Sequence, residues 1–432
     1  MDQRQRRDAQ LVALLARGHS LRGTEDCLAL GFGEQGLCKS AIGERFGVAC
    51  NAARALFGRH FAGRGQVGAA DEVYLSGHPV LEMVEPYSLA ITGLKPHCVP
   101  SKDAWEKFLD EFAHLQGVVS DEGRGLRAAI EGKFARQGLD QWHLTRPFSA
   151  AVQRLELAAY AAMEEVERCR ARAMAEGPQP PGPAAPVSLL RIEQARQAMS
   201  KAIGVFDDAE TVLGWLSEAA DAVNGAGQVR TPGQVAEDWE TALDLVDQID
   251  APALYAIADK LRGKRGGAHL HGLAESIAAL PLPGGWKTPE RNRLQELGCQ
   301  AWRFHHRRKT HILAAPAEAA AWIAFQLGMP FVAVHLEHYT KGLFKVLDCA
   351  LKSSSAVECA NSILRLGEGG KRHPHPDCAY LLAWQHNTRR FKEGRRKGLS
   401  PAELLGVILP KDGWAMLLEE MNRQSPNASN LN

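Results

Sequence analysis

Apolar and polar positions alternate through residues 71–94, DEVYLSGHPVLEMVEPYSLAITGL, with the period of a β-strand. Val73 and Leu75 fall on one side and Tyr74 on the other. Val80, Met83 and Val84 follow the Ser76-Gly77 turn signal and Pro79, and Leu89, Ile91 and Leu94 follow Glu85-Pro86. Three consecutive strands are predicted. The period then changes. Beyond Lys95-Pro96 and Val99-Pro100, Ser101 is placed to cap a helix carrying Trp105, Phe108, Leu109, Phe112 and Leu115. Val118-Val119-Ser120-Asp121 reads as a short buried strand. Gly123 and Gly125 then open a helix to about residue 136, and LDQWHLTRPF (139–148) reads as a fifth strand.

The first sixty residues carry helical spacing instead. Leu11, Leu14 and Leu15 share a face over 7–17, and Gly18-His19-Ser20 breaks the chain. A second helix carries Leu21, Cys27, Leu28 and Leu30 as far as Gly31-Phe32-Gly33. A third begins near Leu37 and runs through Ile42, Phe46, Val48, Ala52, Ala53 and Leu56. Two readings fit this pattern. One is a helix-turn-helix unit, with Lys39, Ser40, Glu44 and Arg45 at the start of the recognition helix, where side chains reach base edges. The other is a plain helical bundle used for dimerisation. The stretch that follows contains Gly63-x-Gly65-x-x-Gly68, the residue types of a dinucleotide fingerprint. That motif needs a strand before it and a helix after it. Here the order is reversed, so residues 61–70 are expected to be a connector.

Beyond the strands the chain turns helical again. Val152, Leu155, Ala159, Met163 and Val166 form the apolar stripe of one long helix over 149–175. GPQPPGPAAP (177–186) is a stiff linker composition. Residues 189–280 are helical without a fixed-period repeat. Asp207, Asp208, Glu210, Glu237, Asp238, Glu240 and Asp244 read as a solvated face.

Composition narrows the classes. The 432 residues are 45% hydrophobic, ample for a core, and the net charge is +1, so a nucleic-acid partner would have to be held by local patches. Nine cysteines without a C-x-x-C pair fit a reducing compartment and argue against a disulfide framework. No run approaches the roughly 18 apolar residues of a membrane span, and the N-terminus lacks a signal-peptide pattern. A cytoplasmic protein without membrane contact is expected.

Candidate chemistry sits in four places. Asp71-Glu72 and Asp121 put acids on a first strand and at the tip of a later one, a common way to assemble a divalent-metal site. AWRFHHRRKTH (301–311) interleaves Arg303, Arg307, Arg308 and Lys309 with Trp302 and Phe304. It suits phosphate contact with base stacking, or equally a solvated helix face over two buried aromatics. NTRRFKEGRRKG (387–398) sets Arg389, Arg390, Lys392, Arg395, Arg396 and Lys397 against Glu393 alone. In KSSSAVECANSILRL (352–366), Glu358, Asn361, Ser362 and Arg365 share one helix face and Val357, Ala360 and Leu364 another. That polar row suits a metal or a phosphate, or a plain surface helix. Cys359, His373, His375 and Cys378 lie close by, but their spacing is not that of a common zinc site.

The order strand-strand-strand-helix-strand-helix-strand is that of the RNase H-like fold, an α/β core on a mixed five-stranded sheet. DEVYLSGHPVLEMVEP, then VVSDEGRGL with LDQWH, then SSAVECANSILR and AWQHNTRRFKEGRRKGLSPAELLG, together resemble bacterial insertion-sequence transposases of the DDE type. The resemblance covers most of residues 20–410 and is weakest in the helical block. It matches Asp71, Asp121 and Glu358 to the catalytic and metal-binding acids. Glu72 and Glu122 adjoin the two Asp positions, and Glu85 is a further acid able to face the site. His143, in Asp140-x-Trp142-His143, reads either as site support or as a structural histidine, and Asn361 as site support. The implied domains are a helix-turn-helix unit over 1–60, a linker over 61–70 and the first part of the core over 71–148. A large all-α insertion over 149–335 follows, then the rest of the core with the Glu helix over 336–410 and a tail over 411–432.

The resemblance implies two Mg²⁺ or Mn²⁺ ions roughly 3.5–4 Å apart, with Asp71 bridging both and Asp121 and Glu358 each binding one. Oxygen ligands suit these hard cations. It implies strand cleavage at the ends of a mobile element and transfer of the freed 3′-OH to target DNA. It further implies action on double-stranded DNA in a bacterial, nucleoid-associated setting, as a homodimer or larger synaptic complex, without a small-molecule substrate. Lys39, Ser40, Arg45, Arg303, Arg307, Arg308, Lys309, Arg365, Arg389, Arg390, Arg395 and Arg396 become the expected DNA contacts. Two alternatives share the same residues: a domesticated DNA-binding protein that no longer cuts, and another RNase H-like nuclease.

Overall fold

The alternating stretch builds the middle of a sheet. A computed structural model describes residues 3–17, 19–32, 37–121, 123–134, 136–177, 187–263, 270–282, 288–307, 316–348, 350, 355–365, 375, 377–394 and 396–424. Strand β1 (Val67–Leu75) pairs antiparallel with β2 (His78–Glu85), and β2 with β3 (Ala90–Pro96). The two-residue Ser76-Gly77 turn sets the register, with Leu75 opposite His78 and Asp71 opposite Glu82. On the other side β1 runs parallel to β4 (Gly117–Ser120), and β5 (Arg136–Leu139) lies beyond it. The sheet is mixed, in the order β3-β2-β1-β4-β5.

Alternation sends side chains to two separate cores. Ala70, Leu81, Met83 and Val118 pack with Trp105, Phe108 and Phe112, mostly from α4 (Lys102–Leu109), and with Leu126 of α5 (Arg124–Ile130). Ser101 caps α4 by accepting from the Ala104 N–H at 3.2 Å. Ala69, Val73, Val80, Val84, Ile91 and Val119 enter the opposite core, which is larger and helical. It takes residues from α1 (Gln3–Ala16), α2 (Leu21–Phe32) and α3 (Lys39–His60). It also takes residues from α14 (Ser355–Leu364), α15 (Cys378–Thr388), α16 (Pro401–Leu404) and α17 (Gly413–Gln424).

Helices α1–α3 therefore share their core with the sheet. Phe57 meets Tyr380 edge-on at 5.3 Å between centroids, and Phe61 meets Trp384 at 5.6 Å. A fully buried Leu or Phe contributes about 1.5–3 kcal/mol, against roughly 0–1 kcal/mol for a surface ion pair. Burial is what holds these helices to the rest. The stretch read as a connector is also taken up: β1 begins at Val67, and Val67, Ala69 and Ala70 are buried. Gly68 lies so close to Met83 and Leu115 that a Cβ would fall 2.3 Å from the Met83 sulfur. Gly63, at φ +68°, donates its N–H to the Thr92 carbonyl. These glycines serve close packing and a turn.

The fifth strand is a correction. LDQWHLTRPF is helical except at its first two residues, and the strand precedes it at Arg136–Leu139. Asp140 decides this, because its side chain accepts from the His143 N–H at 3.2 Å and its carbonyl from the Leu144 N–H at 3.0 Å. Leu144 and Phe148, four apart, are then both buried on one helix face. Helix α5 also stops at Ile130, short of the expected 136.

The chain divides into two compact units, Met1–Gly138 with Asp348–Asn432, and Leu139–Leu347. The expected insertion boundaries, 149 and 335, fall inside the second. That unit contains α6 (Gln141–Glu176), α7 (Val187–Ala219), α8 (Pro232–Val246), α9 (Pro252–Leu261) and α10 (Leu273–Ala278). It continues through α11 (Thr288–Arg307), α12 (Pro316–Gln326) and α13 (Ala333–Asp348), whose last residue opens the return to the first unit. Phe148, Leu216, Trp239, Leu243 and Leu254 centre its main core. Of the Pro-rich linker at 177–186, all but Gly177 lies outside the described residues. No described helix is long and apolar enough to cross a membrane.

Candidate active site

Asp71 stands in the middle of β1 on the face that looks toward α14. Its Oδ1 accepts the Glu72 N–H at 2.8 Å, and its Oδ2 accepts from Asn361 Nδ2 at 3.1 Å across 290 positions of sequence. Asp121 follows directly on β4, one step past the Ala70–Ser120 pair, so the parallel register brings it beside Asp71. Its Oδ1 accepts the Gly123 N–H at 2.8 Å. A Cβ at Gly123 would fall 2.9 Å from Asp121 Oδ1 and 3.7 Å from Glu72 Oε2, which places Glu72 beside Asp121 as well.

Helix α14 completes the set. Val357, Ala360 and Leu364 are buried beneath it, and it packs on β1 and β2. Glu358 is exposed in its first turn, and Asn361, one turn on, is buried with its amide on Asp71. The row read from the sequence thus splits by depth: Glu358, Ser362 and Arg365 are exposed while Asn361 enters the core.

Electrostatics shows how closely the acids are gathered. Burial, then the charge of Asp121, push the Asp71 carboxyl up to about 7, with Glu72 and Glu358 adding to the rise and the Glu72 N–H opposing it. Burial and Asp121 also raise Glu72. Among the described residues no three His, Cys, Asp or Glu side chains are arranged as a ready metal-holding set.

Glu82 belongs to this neighbourhood and was missed in the sequence. It lies opposite Asp71 in the register and is completely buried, and neither carboxylate oxygen has a hydrogen-bond partner among the described residues. Burial, then the Asp71 charge, hold its carboxyl well above the usual range; Arg365 acts in the opposite sense. The signal was present. A lone Glu stands inside Val80-Leu81-Glu82-Met83-Val84, and a two-residue hairpin loop dictates the 71–82 pairing. Glu85, by contrast, holds the β2–β3 turn by accepting from the Ser88 N–H and hydroxyl. Glu122 lies outside the described residues.

The expected DNA-contact residues are scattered over both units. Lys39 and Ser40 are exposed at the start of α3. Arg45 binds the buried Asp8 through Nε at 3.0 Å and Nη2 at 2.5 Å, and also reaches Asn422, so an internal pair holds its guanidinium. Arg389 is exposed; Arg390 pairs with Glu403 at 2.6 Å, and Arg396 donates to the Tyr87 and Pro86 carbonyls. In the second unit Arg303 lies near Glu218 and Asp221, at 3.7 and 4.0 Å. Arg307 ends α11, and its side chain, like all of Arg308, Lys309 and Arg395, is outside the described residues. His143 is partly buried in the first turn of α6, also in the second unit.

Two other motifs hold the fold. His386 Nε2 meets the Leu89 carbonyl at 2.7 Å. Asn387 accepts from the Ile91 N–H at 2.9 Å and donates to the Ile91 carbonyl at 2.7 Å, closing the edge of β3 as another strand would. Ser400 and Glu403 form a capping box at α16. Near the Cys/His group, His375 Nδ1 accepts the Asp377 N–H, Cys378 is buried, Cys359 is exposed, and His373 is outside the described residues.

The chain matches no protein-family model and no curated protein.

Proposed function

We propose that the chain is a DDE-type DNA transposase whose first unit is an RNase H-like core and whose second is a helical insertion. One observation carries the reading. Asp121, directly after the strand that runs parallel to β1, and Glu358, on a helix packed over β1 and β2, both act on the Asp71 carboxyl despite their separation in sequence. The strand order, with β2 antiparallel between β1 and β3, fits the same core.

The donor set suits a divalent cation. All the groups are oxygens, as Mg²⁺ and Mn²⁺ prefer, and burial first, then the charge of Asp121, raise the Asp71 carboxyl. Asp71, Asp121 and Glu358 would hold the ions, which supply Lewis-acid stabilisation of charge on the transferring phosphoryl group. The remaining work falls to the chain itself. Asn361 and the Glu72 N–H fix both oxygens of Asp71, and the Gly123 N–H fixes Asp121, so these carboxylates are oriented before substrate arrives. Arg365, exposed at the end of the same helix, supplies positive charge for a DNA phosphate. Lys39 and Ser40 are available to contact DNA from α3.

The test is Mg²⁺- or Mn²⁺-dependent nicking of DNA that carries the sequences flanking the gene. Asp121→Ala should lower the nicking rate by about 100-fold or more, as loss of a preorganised charge-stabilising group does. Equal nicking by both proteins removes the assignment.

A further inference from the structure

We infer that Glu82 is a fourth carboxylate of the cation site, supplying oxygen from the β2 side of Asp71. The inference rests on the metal-site reading above and adds to it a residue outside the Asp71–Asp121–Glu358 set. Glu82 and Asp71 come from the neighbouring strands β2 and β1 and Asp121 from the residue after β4, and the register sets Glu82 opposite Asp71. Directly opposed residues on one face have Cβ atoms about 4.5–5.5 Å apart, and like charges there destabilise the pair. Val80 and Val84, two positions away on either side, enter the core beneath α14, which orients Glu82 to that same face.

Burial makes the arrangement informative. Glu82 is fully enclosed with both oxygens unpartnered, and Asn361 Oδ1, on the residue that donates to Asp71, is also buried and unpartnered. Among the described residues, three buried acceptors on Glu82 and Asn361, the strand partner and the amide partner of Asp71, have no donor. A buried acid in such a place is satisfied by a proton, a pair or a metal. Burial, then the charge of Asp71, raise the Glu82 carboxyl, with Arg365 opposing and Glu358 adding to the rise; the register is what sets it beside Asp71. Without a cation the buried Glu82 carboxyl is held in its protonated form; a cation would let it ionise and supply oxygen.

The experiment is Mn²⁺ binding to the full-length protein, measured by calorimetry and by loss of the free-ion electron paramagnetic resonance signal. Wild type is compared with Glu82→Gln, Glu82→Met and Asp121→Asn, and folding is checked by circular dichroism without metal. Glu82→Gln keeps the shape and removes the charge. The expected result is a loss of Mn²⁺ affinity of roughly 10–100-fold, the range seen when groups supporting a metal site are removed. If Glu82→Gln does not fold, Glu82→Met, uncharged and of similar length, must show the same loss. Wild-type affinity in whichever variant folds overturns the role of Glu82. Weakened binding in Asp121→Asn beside unchanged binding in the Glu82 variants defeats this inference alone. No Mn²⁺ binding by wild type, or none lost in any variant, defeats the metal-site reading along with it.

Discussion

Asn387 shows how a polar residue can be read for chemistry and turn out to hold the fold. It stands in the His-Asn-x-Arg run beside a basic tail, yet its amide makes both backbone bonds of Ile91 and is completely buried. Truncation to Ala would leave a buried N–H and C=O without partners, at about 1–3 kcal/mol for each such group. Asn387→Ala is therefore expected to destabilise the first unit by about 2–4 kcal/mol, read from urea unfolding, with the fold otherwise retained. A change under about 0.5 kcal/mol would mean that water replaces the amide at no cost. Arg45 makes the related point for charge. Its position at the start of α3 suggested a base contact, but the buried carboxylate of Asp8, from α1, takes up its guanidinium.

At the scale of elements, α15 is the strut that joins the β3 edge to α3 and α17. Its His386 couples that joint to pH. Burial holds the His386 imidazole below its ordinary range, with the Leu89 carbonyl pulling the other way and Arg389 adding to the depression. The unfolded chain takes up this proton at about pH 6.5, and the folded chain does so only at lower pH. Between those two values the unfolded chain binds more protons, so stability falls as the pH drops through the window. His386→Gln keeps an N–H for Leu89 and does not titrate. Its urea midpoint should fall less steeply than wild type as the pH drops below about 6.5; parallel slopes would show that His386 does not carry the effect. The same scale explains the misread fifth strand. LDQWHLTRPF has apolar residues at Leu139, Trp142, Leu144 and Phe148, and so short a run is ambiguous in period. The Asp140 cap and the helical core around Phe148 settle it as helix.

For the whole molecule, the two units have separate main cores, one around the sheet and one around Trp239. Separate cores favour separate unfolding. Scanning calorimetry should resolve two transitions, and Mn²⁺ should raise only that of the unit containing Asp71, Asp121 and Glu358. A single transition with equal calorimetric and van't Hoff enthalpies would show that the units unfold as one. A rise in both would place cation binding outside the proposed site.

Local pattern alone determined the meander over 71–94, the helix beginning after Ser101, the three N-terminal helices and the long helical block. Each depends on period, caps and turn residues within a few positions. The acids Asp71, Asp121 and Glu358 stood out by strand position and by resemblance to a family. Only the folded chain decided that Asn361 binds Asp71, that Asp8 takes up Arg45, and that Glu82 is fully desolvated with no partner among the described residues. Those facts depend on contacts across tens to hundreds of positions, and on which side chains are desolvated together. Residue type and spacing carry no direct record of either.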